Sequence, residues 1–107
     1  MPHYLIRASY TPEGWAALVK NPQNRREALR PVIEAAGGRL DAFYYAFGED
    51  DAFLLVELPD NVSAAAISMS VAASGAVKFT ATTPLMTAEE AVEAMKRAGR
   101  AGYRPPA

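Results

Sequence analysis

Phe43-Tyr44-Tyr45-Ala46-Phe47-Gly48-Glu49-Asp50-Asp51-Ala52-Phe53-Leu54-Leu55-Val56-Glu57-Leu58-Pro59-Asp60 reads as two apolar strands, the acidic turn between them and a helix start. Aromatic and β-branched residues suit a pleated, half-buried surface. Gly48-Glu49-Asp50-Asp51 has the composition of a hairpin turn. Asp60 offers a side-chain oxygen to the free N–H groups of the helix that follows.

Outward from this stretch, the N-terminal half repeats the pattern. Arg39 to Phe47 is the complete second strand, and Gly37-Gly38 before it ends a helix. That helix begins near Asn24 and carries Ala28, Leu29, Val32 and Ile33 on one face. Pro31 inside it predicts a kink or a local break, because proline removes a backbone donor and crowds the preceding turn. Asn21-Pro22 separates it from an earlier helix that Thr11-Pro12-Glu13 opens, with Trp15, Leu18 and Val19 along it. His3 to Tyr10 is the first strand.

Toward the C-terminus, Ala52 to Leu58 is the third strand, and Asn61 to Ser74 is a helix of small and apolar residues that Gly75 terminates. Ala76 to Thr83 is the fourth strand, ended by Pro84. Thr87-Ala88-Glu89-Glu90 has the capping-box pattern, and a last helix runs to about Ala98. Residues 1–98 form one domain. Residues 99–107 form a Gly/Pro/Arg tail, including Tyr103, expected to be mobile or ordered only against a partner.

Strand, helix, strand, strand, helix, strand is the split βαβ order of an α+β, ferredoxin-like domain. It predicts a four-stranded antiparallel sheet with helices on one face and right-handed crossovers. Alternation assigns Tyr4, Ile6, Ala8, Leu54 and Val56 to the helix side, with Val77, Phe79 and Ala81. The open face then carries His3, Leu5, Arg7 and Ser9, with Phe53, Leu55 and Glu57, and with Lys78, Thr80 and Thr82. Strand two divides into Phe43, Tyr45 and Phe47 against Leu40, Ala42 and Tyr44, and both orientations stand. Apolar groups on an open face mark an interface, so a two-fold homodimer with sheets face to face is expected.

The chain has 107 residues, no cysteine and a formal net charge of -1. Without cysteine there are no disulfides, thiolate metal sites or thiol nucleophiles. The charge balance gives no footprint for nucleic acid or an anionic membrane. No apolar run approaches the roughly 20 residues that span a bilayer, and no signal peptide is read. A cytoplasmic protein without a cofactor is expected. Nucleotide-binding glycine motifs are absent.

The segments Tyr10-Thr11-Pro12-Glu13-Gly14, Gly37-Gly38-Arg39-Leu40, Phe43 to Asp51, Leu58-Pro59-Asp60-Asn61 and Leu85-Met86-Thr87-Ala88-Glu89-Glu90 together resemble the GYD domain family. The resemblance covers Tyr4 to about Lys96. It implies a dimeric α/β barrel, in which two ferredoxin-like sheets pair. The family's wider relatives include cofactor-independent monooxygenases, isomerases, haem-binding enzymes and ligand-sensing domains, so the fold permits several chemistries. Asp50 stands where the family signature usually has tyrosine.

The candidate ligand-binding residues are His3, Arg7, Tyr45, Glu57 and Lys78. His3 is the single histidine, a general base if partnered and otherwise a surface or interface residue. Tyr44 or Tyr45 would offer a hydroxyl to a ligand, the other being core. Arg7, Glu57 and Lys78, sealed inside a dimer, would pair with each other or bind an anion. The turn acids Glu49, Asp50 and Asp51 match no cation loop, so no metal site is assigned, and Asp51 is expected to bond turn backbone. Three functions remain open. One is a small-molecule-binding homodimer with a pocket near the sheet interface. Another is a cofactor-independent monooxygenase or isomerase using His3, Arg7 and Tyr45. The last is a structural subunit of a larger assembly.

Overall fold

Strand-forming residues alternate in burial along His3–Tyr10, so this segment can only be a strand with one face in the core. The computed structural model describes the backbone of residues 1–107 and all side chains but those of Phe79 and Thr80. The elements are β1 (His3–Tyr10), α1 (Pro12–Lys20), α2 (Arg25–Ala35), β2 (Arg39–Tyr45), β3 (Ala52–Glu57), α3 (Asn61–Ala73), β4 (Val77–Leu85) and α4 (Ala88–Gly99). The sheet has four strands in the order β2-β3-β1-β4, all pairs antiparallel. This is the ferredoxin-like arrangement.

Side-chain caps fix where the helices begin. The Thr11 hydroxyl accepts from Gly14 N at 3.1 Å and donates to Gly75 O at 2.9 Å, so it starts α1 and ties it to the entry of β4. Asn24, Asp60 and Thr87 accept from the third helical N–H of α2, α3 and α4, and Glu90 completes the capping box of α4. Gly14 is buried, and a Cβ there would collide with the Ala76 carbonyl oxygen. Only glycine lets α1 approach that closely.

The core lies between the sheet and the helices. It centres on Tyr4, Ile6, Ile33, Leu54, Val56 and Leu58. Tyr4 is 2% exposed, and its hydroxyl donates to Asn61 Oδ1 at 2.6 Å, which satisfies its polar end.

Several local expectations are corrected. Pro31 does not break α2, which runs unbroken through it with the ring on the exposed side. Pro84 does not end the fourth strand. It lies within β4 and is paired opposite Tyr4. β4 is an edge strand, where a missing N–H can point to solvent. β2 stops at Tyr45 because Ala46 N bonds Asp51 O at 2.8 Å to close the turn, and Phe47 stands fully in solvent.

Two bulges change the strand faces. The β1–β4 register shifts between Arg7 and Ala8, so Ala81 lies opposite Arg7 on the open face and Thr82 opposite Ile6 on the helix side. Both are the reverse of simple alternation. Thr82 Oγ1 accordingly sits 3.5 Å from Ser68 Oγ of α3. The faces expected for Phe79 and Thr80 concern side chains outside those described. The β2–β3 register shifts between Leu40 and Ala42. Leu40, Phe43 and Tyr45 therefore share the helix side, while Ala42 and Tyr44 lie on the open face, opposite Leu55 and Phe53.

α4 differs from the other helices. None of its described residues is buried, and Val92 and Met95 are exposed. The radius of gyration is 17.3 Å and the molecule extends 59 × 33 × 22 Å, whereas a compact domain of this size has a radius near 13 Å. The chain beyond β4 projects as an arm.

Candidate functional site

The open face of the sheet carries two separate groups of charges. At one end, β1, β2 and β3 bring together His3, Arg39, Asp41 and Glu57. Arg39 Nε donates to Asp41 Oδ1 at 2.6 Å, and Arg39 Nη2 lies 2.6 Å from Glu57 Oε2. His3 Nε2 stands 3.7 Å from Glu57 Oε1. The β2 bulge puts Asp41 in this group. His3, Asp41 and Glu57 each offer an atom within 4.8 Å of the others. The Arg39 guanidinium pairs with both carboxylates and offsets one of their two charges, so the arrangement is an ion-pair network that keeps an excess of negative charge. Asp41 is the main cause that holds the Arg39 pKa above its ordinary value.

Further along the face, Arg7 Nη1 lies 3.7 Å from Asp50 Oδ2. Asp50 is 6% exposed, and its Oδ1 is buried without a hydrogen-bond partner. Its neighbour Asp51 bonds β1 and α1 rather than turn backbone. Asp51 Oδ2 accepts from Tyr10 N at 2.9 Å and from Trp15 Nε1 at 3.3 Å. The acidic turn is thus a structural clamp between hairpin, β1 and α1.

Arg7, Glu57 and Lys78 do not meet. Glu57 pairs opposite His3 and Lys78 opposite Ser9, six residues apart along β1, or about 20 Å. Tyr45 lies on the other side of the sheet from His3 and Arg7. It stacks 6.3 Å from Tyr10 and edge-on 5.3 Å from Phe43, and Tyr10 also packs 4.9 Å from Trp15.

On that helix side an open cleft of about 440 Å³ separates the sheet from α1, α2 and α3. Its walls are apolar, with Ile6 and Leu54 from the sheet, Leu18 and Leu29 from α1 and α2, and Ile67 and Val71 from α3. Tyr10, Gln23 and Arg25 also line it. The Tyr10 and Tyr45 hydroxyls are 3.4 Å apart. Burial, then the Tyr45 hydrogen bond, pushes the Tyr10 pKa well up, with Arg25 partly offsetting this. Like any phenol the Tyr10 hydroxyl is protonated at neutral pH, and it can donate to a ligand when Tyr45 is the donor in their mutual contact.

The GYD domain profile matches residues 4–95. The chain belongs to the GYD domain family. A relative from Thermus thermophilus is 31% identical over 78 residues, spanning 73% of this chain and 82% of its own, and is described as a "Glutamine synthetase and cystathionine beta-lyase binding protein". No solved structure matches the chain.

Within the GYD domain, sequence reasoning placed His3, Arg7, Glu57 and Lys78 on the open face and expected a pocket there. A hollow of about 290 Å³ lies beside His3, Asp41, Leu55 and Met86, and the cleft of about 440 Å³ lies on the helix side. Arg25 and Tyr10 were missed. Their signal was faint, an arginine at the first position of a helix and a tyrosine at a strand end. Among the described residues no helix is long and apolar enough to cross a membrane.

Proposed function

We propose that this GYD domain is a binding protein that holds a small apolar molecule in the cleft between its sheet and helices, and that it works as a cytoplasmic homodimer. One observation carries the reading. A cleft of about 440 Å³ falls within the range of ligand sites, about 300–1,000 Å³, and combines apolar walls with few polar groups, as such sites do. The monooxygenase or isomerase reading has less support, since His3 and Arg7 lie across the sheet from Tyr45. The test is thermal stabilisation by small apolar alcohols such as octanol. A ligand that binds the native state raises the melting temperature, and Ala28→Phe, which fills the cleft from α2, abolishes the rise. An equal rise in both proteins would place binding elsewhere.

The homodimer rests on two uncovered surfaces. The open sheet face exposes Tyr44 and Leu55, and α4 exposes Val92 and Met95. α4 carries Glu89, Glu90 and Glu93 in its first half, and Lys96, Arg97 and then Arg100 toward its end. Two copies laid antiparallel about a two-fold axis would set acid against base along the whole contact.

A second reading is favoured by the Thermus thermophilus relative, whose description names two enzymes as what it binds. The same open face would then dock a protein partner. Pull-down with the sheet-face variant Leu55→Asp against wild type distinguishes this from ligand binding in the cleft.

A further inference from the structure

Charge is distributed unevenly around the cleft. Among the described residues that line it, Arg25 is the only one carrying a charge. It is half-buried, and its Nη1 donates to the neutral Gln23 Oε1 at 2.8 Å. Among the described residues no carboxylate pairs with it. Its neighbours on α2 behave differently, since Arg26 and Arg30 both lie 3.2 Å from Glu27. Glu27 is thus engaged by two other cations and leaves Arg25 uncompensated.

A half-buried guanidinium bonded only to neutral groups keeps its full positive charge to offer an anion that enters the cleft. Arg25 is also the first residue of α2, where free N–H groups and the helix dipole add positive potential. The Tyr10 hydroxyl on the same cleft supplies a second donor once Tyr45 donates to it across their 3.4 Å contact. The combination suits a carboxylate, which accepts in two directions, attached to an apolar body that fills the rest of the space.

We propose that the cleft takes an apolar monocarboxylate, its hydrocarbon or aromatic body among the apolar walls and its carboxylate at Arg25 and the Tyr10 hydroxyl. This rests on the reading of the cleft as the ligand site. A neutral apolar molecule would occupy the same walls but leave Arg25 unmatched.

The chain has a single tryptophan, and Trp15 packs on Tyr10, so its fluorescence reports binding at this end of the cleft. The experiment titrates octanoate, below its micellar concentration, and octanol, below its solubility limit, at neutral pH into wild type, Arg25→Gln, Arg25→Lys and Ala28→Phe. Urea unfolding confirms that each variant is folded. Octanoate is expected to bind wild type at least tenfold tighter than octanol. Arg25→Gln erases that preference without changing the octanol affinity, and Arg25→Lys retains most of it. Ala28→Phe loses both ligands. Equal affinity of wild type for acid and alcohol overturns the carboxylate assignment while leaving the cleft as the site. A preference that persists in Arg25→Gln overturns the role of Arg25. No response to either ligand overturns the cleft reading and the assignment with it.

Discussion

Asp50 and Asp51 are adjacent carboxylates in one turn, yet the fold uses them in opposite ways. Asp51 is satisfied by a backbone N–H and an indole N–H. Asp50 is buried with one oxygen unpartnered and leans on Arg7 at 3.7 Å. A buried charged acceptor that loses its partner retains its desolvation cost. Arg7→Met is therefore expected to destabilise the protein by about 1–3 kcal/mol in urea unfolding. Adding Asp50→Asn should recover part of that loss, because the remaining amide carries no charge. A double variant as unstable as Arg7→Met alone would show that Arg7 acts through packing instead. None of this was legible in Gly48-Glu49-Asp50-Asp51. The composition announced a turn, but which acid turns inward depends on β1 and α1, which lie far away in sequence.

At the scale of elements, the caps were readable because they are local. Thr11, Asn24, Asp60 and Thr87 each sit a fixed three residues from the N–H they satisfy. The strand faces were less readable because a bulge is a property of a pair of strands. Nothing in Leu40-Asp41-Ala42 marks Asp41 as the residue that shifts the register, and that shift carries Asp41 to Arg39 and Glu57. The close approach of α1 to the entry of β4 gives a second prediction. Gly14→Ala puts a methyl against the Ala76 carbonyl, forcing α1 outward, with an expected loss of about 1–3 kcal/mol. Thermal unfolding measures it, and an unchanged melting temperature would mean that α1 is already free to move. The displaced helix also borders the cleft, so octanol affinity should change in the same variant.

For the whole molecule, α4 decides how much surface remains to be covered. Specific interfaces bury about 1,200–2,000 Å², so the proposed dimer is expected to use the sheet face as well as this helix. Ending the chain after Met86 is expected to weaken the proposed homodimer in sedimentation or native mass spectrometry without unfolding the domain, because α4 buries none of its described residues. The charge pattern permits a sharper check. A variant with Glu89, Glu90 and Glu93 changed to Lys, and another with Lys96, Arg97 and Arg100 changed to Glu, should each dissociate alone and associate when mixed. If the mixture stays apart, α4 docks on something other than its own counterpart. The sequence supplied the amphipathic stripe and the split charges. It gave no sign that the helix would leave its own domain, because that depends on whether the sheet has room for it.

Pro84 sets a limit on such assembly. Sitting one residue from the end of an outer strand, it withholds a donor from any chain that tries to add beside that end of β4. Rim-to-rim growth of the sheet, the geometry of ribbons and amyloid, is therefore disfavoured on that side. Any contact between copies is thereby steered away from that edge, toward the open face and the α4 arm.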